Sequence, residues 1–124
     1  MKRIVIDLDD TLTINDSTRA YVDQRPNLKA IETLRDYQEM GFEIVIFTAR
    51  NMRSFENSIG KINAVTLPII IEWLNAHAVP FDEIHVGKPW CGHDGFYVDD
   101  KAIRPSEFTS LSYSEIQALI DKNE

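Results

Sequence analysis

Four short, largely apolar runs in this chain each stop at a polar residue suited to chemistry. Ile4-Val5-Ile6 meets Asp7, Ile44-Val45-Ile46-Phe47 meets Thr48, Ile84-His85-Val86 leads into Gly87-Lys88, and Phe96-Tyr97-Val98 meets Asp99-Asp100. Continuous rather than alternating apolar runs are the pattern of strands buried on both faces of a parallel sheet. Parallel strands need crossovers, and one is visible between the first two runs. There Leu28, Ile31, Leu34 and Tyr37 recur at helical spacing, with Asn27 placed to cap the helix and Gly41 placed to end it. These constraints predict an α/β fold whose four polar strand ends converge at the carboxyl edge of one sheet, where ligands of open α/β sheets bind.

The remaining helices follow from their caps. Thr66 precedes Leu67, Ile70, Ile71 and Leu74, with Pro68 tolerated in the first turn. Ser112-Tyr113-Ser114-Glu115 has capping-box spacing ahead of Ile116, Leu119 and Ile120. Residues 13–26 and 51–63 read as irregular polar stretches, and no repeat or linker divides the chain. The 124 residues, 44% of them hydrophobic, therefore suit a single domain, residues 1–124, around one core. A formal net charge of -7 argues against binding nucleic acid or an anionic membrane through a basic surface. One cysteine, Cys91, excludes an internal disulfide framework and suits a reducing compartment. The first strand reaches Asp7 before a signal-peptide core is complete, and no run approaches the roughly 18 apolar residues of a membrane span. The expectation is a soluble cytoplasmic protein.

Asp7-Leu8-Asp9-Asp10 crowds carboxylates at a strand end, which raises their pKa values unless a cation sits among them. Mg²⁺ suits a site offering one or two carboxylates plus water and substrate phosphate. Asp99-Asp100 would supply the remaining metal ligand, Lys88 a positive charge for a phosphoryl group, and Thr48 a hydroxyl. The turn after Thr48, through Ala49, would offer backbone N–H groups to phosphate oxygens. Taken one at a time, each has a plainer reading: a solvated turn at Asp7 to Asp10 and at Asp99-Asp100, a helix cap at Thr48, a surface lysine at Lys88. Their joint occurrence, in this order, favours a magnesium-dependent phosphate site.

In that order, Asp7-Leu8-Asp9-Asp10-Thr11-Leu12, Thr48 in Ile46-Phe47-Thr48-Ala49-Arg50, Lys88 in Val86-Gly87-Lys88-Pro89 and Asp99-Asp100 resemble the four motifs of haloacid dehalogenase-like (HAD) phosphohydrolases. The resemblance implies that Asp7 is the nucleophile forming an aspartyl-phosphate and Asp9 the general acid and base. It implies Mg²⁺ held by the Asp7 carboxylate, the Asp9 backbone carbonyl and Asp99, with Asp100 as a ligand, a water-mediated contact or a partner of Lys88. Thr11 agrees with the phosphatase branch and joins Ala49, Arg50 and Lys88 as a substrate contact. The fold implied is a Rossmann-like parallel sheet with helices on both faces and strand one central.

A receiver domain of two-component signalling has similar ingredients but a different order, because its phospho-accepting Asp precedes the Thr on a middle strand. A non-catalytic binding module would lack an essential group, and none is missing. Neither interval between motifs holds a cap domain. An uncapped site acts on exposed phosphates of macromolecules or borrows a lid from another subunit, so the expectation is a homo-oligomer acting on a small phosphorylated metabolite. Capless sugar-phosphate phosphatases are similar in size. Thr48-Ala49-Arg50-Asn51-Met52 and Gly87-Lys88-Pro89-Trp90 also resemble bacterial capsular or surface-polysaccharide biosynthesis phosphatases. Arg50 is placed either to reach a substrate anion or to pair with a nearby acid. Trp90 would stack on a substrate ring or pack, while Cys91 and His93 are too few to make a zinc site.

Overall fold

The structure is a computed structural model that describes residues 1–122. The chain divides into two compact units, Met1–Trp90 and Cys91–Glu124. In the first, β1 (Arg3–Ile6), β4 (Glu43–Phe47) and β5 (Glu83–His85) form a parallel sheet in the order β1-β4-β5. Ile4 is in register with Ile44, and Ile46 with Ile84. The crossover from β1 to β4 contains α1 (Leu28–Glu39), and the one from β4 to β5 contains α2 (Ile59–Lys61) and α3 (Leu67–Ala76). The molecule is thus α/β, a parallel three-stranded sheet flanked by helices, with no large cap among the described residues.

The central strand is β4, whose Ile44, Val45 and Ile46 are buried. The sheet of the described residues has β1 at an edge, where Val5 is 59% exposed. This corrects the expectation that strand one is central. In the second unit Phe96-Tyr97-Val98, expected as a strand, forms none. An apolar run becomes a strand only when a neighbour supplies ladder hydrogen bonds. These three residues pair in no ladder and are 79%, 52% and 87% exposed.

Helix α1 forms as its pattern predicts. The Asn27 side-chain oxygen accepts from the Ala30 N–H at 3.3 Å, and Ala30, Ile31, Leu34 and Tyr37 make the buried stripe. Gly41, at φ +94°, turns the chain out of the helix, and the Phe42 N–H returns to the Tyr37 carbonyl at 3.1 Å. The start of α3 differs from expectation. The backbone is already helical from Ile59, with Ser58 as the cap and a π-helical turn at Ile62–Thr66. Pro68 has no N–H for the carbonyl of Ala64, and the widened turn lies where that bond is missing. Thr66 is therefore not a cap; its hydroxyl donates to Asn51 Oδ1 at 2.7 Å.

Residues 13–26, expected to be irregular, make a small flap. Two-residue strands β2 (Thr13–Ile14) and β3 (Arg25–Pro26) pair antiparallel around a 3-10 turn at Tyr21–Asp23. In the second unit, α4 (Pro105–Ser110) is too short to show as periodicity, and Glu107 accepts from the Arg104 N–H at 2.8 Å to cap it. Helix α5 (Tyr113–Lys122) carries the expected capping box. Glu115 accepts from the Ser112 N–H at 2.9 Å, and the Ser112 hydroxyl accepts from the Glu115 N–H at 3.2 Å. Hydrogen bonds from the Ser112 N–H and hydroxyl to the Glu115 carboxyl hold it below its usual pKa. No helix of the described residues is long and apolar enough to cross a membrane.

Candidate active site

Asp7 is the first residue beyond β1, where the chain leaves the sheet. The exit is a tight turn on one carbonyl: Leu8 O accepts from the N–H groups of Thr11, Leu12 and Thr13 at 3.3, 2.9 and 3.1 Å. Without a glycine here, Asp10 takes the left-handed conformation at φ +59°, which aspartate tolerates better than most residues. Its N–H donates to Thr13 Oγ1 at 3.0 Å. Leu8 and Leu12 are buried and anchor the turn, leaving the Asp7 and Asp9 side chains partly open to solvent.

The turn brings Thr11 back beside Asp7, and its hydroxyl donates to Asp7 Oδ2 at 3.3 Å. Lys88 Nζ stands 3.7 Å from Asp7 Oδ1. Backbone pairing that continues past the strand ends brings these groups together. The Thr48 N–H donates to the His85 carbonyl at 3.0 Å, and the Lys88 N–H to the Thr48 carbonyl at 3.1 Å. Thr48 is buried, and its hydroxyl oxygen accepts from the Arg50 N–H at 3.1 Å. Ala49 is half-buried in the turn that follows, where its carbonyl accepts from the Met52 N–H at 3.0 Å.

Burial raises the pKa of the Asp7 carboxyl. Lys88 and the Leu8 N–H oppose this, the Asp9 charge adds to it, and the Thr11 hydroxyl opposes it. Asp7 is thus a partly desolvated carboxylate whose charge Lys88 compensates incompletely, an environment that suits an added cation. Asp9 has a strong partner of its own. Arg50 Nη2 donates to Oδ1 at 2.7 Å and Nε to Oδ2 at 3.1 Å, with the guanidinium almost fully buried. The Tyr21 ring of the flap lies 4.1 Å from the guanidinium carbon.

Asp7, Asp9, Thr11, Thr48, Ala49, Arg50 and Lys88 all belong to the first unit and sit at or just beyond the carboxyl ends of β1, β4 and β5. Asp99 and Asp100 belong to the second unit and are exposed. Asp99 Oδ1 accepts from the Lys101 N–H at 2.9 Å, and this bond, with others from Asp100, keeps its carboxyl below the usual range. Among the described residues no group of three or more His, Cys, Asp or Glu side chains is arranged to hold a metal ion. In the first unit the Asp7 carboxylate is a donor suited to a cation, and Mg²⁺ takes as few as one or two protein carboxylates with water and phosphate.

Tyr21 and Gln24 went unnoticed in the sequence. Gln24 is buried, and its side chain ties the flap together: Oε1 accepts from the Asp16 N–H at 2.9 Å, and Nε2 donates to the Asp16 and Arg19 carbonyls at 2.8 and 3.0 Å. Its own carbonyl accepts from Trp73 Nε1 at 2.8 Å. These bonds join residues up to 49 positions apart, so no local pattern announces them. Trp90 is 40% exposed, and the Arg53 guanidinium lies 5.5 Å from its ring.

The family described as PITM 1-3, LNS2 domain, matches residues 4–95, from β1 to just past Lys88. The chain belongs to this family. The LNS2 match takes in all of the first-unit site residues and stops short of Asp99. A crystal structure of an MCSG target from Vibrio cholerae is 59% identical, covers 100% of both chains and superposes with a TM-score of 0.96. A D,D-heptose 1,7-bisphosphate phosphatase from B. bronchiseptica, crystallised with magnesium and phosphate, is 15% identical over 77% of this chain and 54% of that one, with a TM-score of 0.49. No curated protein matches.

Proposed function

We propose that this LNS2-family chain is a Mg²⁺-dependent phosphomonoester hydrolase that works through an aspartyl-phosphate on Asp7. The observation that carries the reading is the Asp7 carboxylate at the β1 exit, partly desolvated and flanked by the Thr11 hydroxyl and the Lys88 ammonium, with Asp9 two residues on. An Asp7 oxygen attacks phosphorus as the ester P–O bond breaks, and the leaving oxygen takes a proton from Asp9. Asp9, now a carboxylate, deprotonates a water that attacks the acyl phosphate, releasing inorganic phosphate and restoring Asp7. Lys88 stabilises the charge on the transferring phosphoryl group, and the turn after Thr48 offers the Ala49 N–H to its oxygens. Mg²⁺ would be held in the first unit by the Asp7 carboxylate and the Asp9 backbone carbonyl, and would supply the charge neutralisation that lets an anion approach an anion.

We assign the substrate to small sugar phosphates of surface-polysaccharide metabolism. The support is the resemblance of residues 48–52 and 87–90 to phosphatases of that kind and the lack of a large cap among the described residues. A dephosphorylation screen with Mg²⁺ across sugar phosphates, nucleotides and phosphoproteins tests both parts. Preference for a sugar phosphate supports the assignment; activity confined to phosphoproteins or nucleic-acid ends moves the substrate to macromolecules; a folded protein inert on all three removes the phosphatase reading.

A further inference from the structure

Arg50 is used by neither the phosphate nor the metal in the mechanism above, yet it is among the most constrained charges of the first unit. Its side chain is 1% exposed, and two of its nitrogens grip both oxygens of Asp9 at 2.7 and 3.1 Å. The opposite arrangement holds at its remaining nitrogen. Nη1 is buried without a hydrogen-bond partner among the described residues, a cost that a pair built only for stability avoids. The Tyr21 ring, on the flap, stacks 4.1 Å from the guanidinium carbon.

From this geometry we infer that Arg50 is a positioning residue for the acid–base carboxylate, and that the flap acts on the same carboxylate through Tyr21. The inference rests on the phosphatase reading. A carboxylate that must give a proton to the leaving oxygen and later take one from water has to keep its plane fixed. A lone aspartate rotates about two side-chain bonds, whereas a planar guanidinium fork engaging both oxygens removes that freedom. Each Asp9 oxygen has two lone pairs, and the fork uses one on each. The Asp9 side chain remains 34% exposed, so the unused lone pairs are accessible to a leaving group or water. Tyr21 closes the far face of the guanidinium with a contact formed by the flap, so flap order and Asp9 orientation are linked through one side chain.

Leaving-group dependence separates this role from simple structural support. An alkyl phosphate needs its leaving oxygen protonated, whereas p-nitrophenyl phosphate expels a stable anion and needs the acid far less. Read as the rate of phosphoenzyme formation in rapid quench, the step that precedes water attack, Arg50→Gln is expected to lose on the order of 10²–10⁴ on glycerol phosphate, the usual range for one general acid, and less than about 10-fold on p-nitrophenyl phosphate. Arg50→Lys, which keeps charge but loses the fork, is expected to fall between wild type and Arg50→Gln on glycerol phosphate. In the Asp9→Asn background, Arg50→Gln is expected to cost nothing further. Tyr21→Ala, at a half-exposed position, is expected to lose about 2- to 5-fold on the alkyl ester only, the rate equivalent of an exposed cation–π contact. Equal losses on both esters, or a further loss in the double variant, overturns the inference while leaving a wild-type phosphatase in place. A wild-type protein inert on both esters overturns the phosphatase reading itself, and this inference with it.

Discussion

In the proposed mechanism Asp7 carries the largest share of the chemistry, and its environment makes it measurable without turnover. Its carboxyl is shifted above the ordinary value of 3.8, chiefly by burial. A carboxyl that binds its proton more tightly in the folded than the unfolded state weakens folding once ionised. Stability conferred by the protonated form is therefore lost as pH rises from that ordinary value through the folded pKa. Metal-free Asp7→Asn should lack this loss and be more stable than wild type at neutral pH. Urea denaturation of both proteins across the acidic range, without metal, checks the sign; identical pH dependence contradicts it. Lys88 offsets only part of the burial from 3.7 Å. Lys88→Ala should lower kcat by roughly 10²–10³, about 2.7–4 kcal/mol, if it behaves as one preorganised stabilising group. Steady-state kinetics with saturating Mg²⁺ reads this directly, and unchanged turnover puts Lys88 outside the chemistry.

Among the elements, the flap of residues 13–26 is held by a small set of polar contacts. Gln24 supplies three side-chain hydrogen bonds within it and one backbone acceptor to Trp73. Gln24→Ala leaves the Asp16 N–H and two carbonyls without those partners. It should cost about 1–3 kcal/mol in urea denaturation and speed proteolysis between Asp16 and Gln24; wild-type cleavage rates contradict the assigned role. The strands β1, β4 and β5, the Asn27 cap and the Ser112 capping box were legible because their signals are local: apolar runs, or an acceptor three residues before its donor. The strand expected at Phe96-Tyr97-Val98 was not, because the same composition yields a strand only where a neighbouring edge supplies the ladder. The Gln24 knot escaped because its bonds depend on how the flap folds and on Trp73, 49 positions away; for Arg50 the sequence offered an acid as one of two partners, and the acid is Asp9, 41 positions away. Asp7, Asp9 and Lys88 stood out in sequence because each closes or follows an apolar run, and β1, β4 and β5 bring these residues together as that pattern implies.

At the scale of the whole molecule, the -7 net charge and the lack of a large cap among the described residues bear on partners. We propose a homo-oligomer in which subunits shield one another's sites, with residues 51–63 as the contact. Light scattering at micromolar concentration should give at least a dimer, and a strict monomer that still discriminates among small sugar phosphates contradicts shared shielding. The central claim, covalent phosphoryl transfer to Asp7, is tested most directly by incubating wild type and Asp7→Asn with a phosphate monoester and Mg²⁺. Released phosphate is measured together with acid-quenched phosphoenzyme. Wild type should release phosphate, lose this activity on chelation of the metal, and yield a phosphorylated peptide containing Asp7, whereas folded Asp7→Asn should neither release phosphate nor be phosphorylated. Sustained phosphate release by Asp7→Asn, or label trapped on a different residue, contradicts the account.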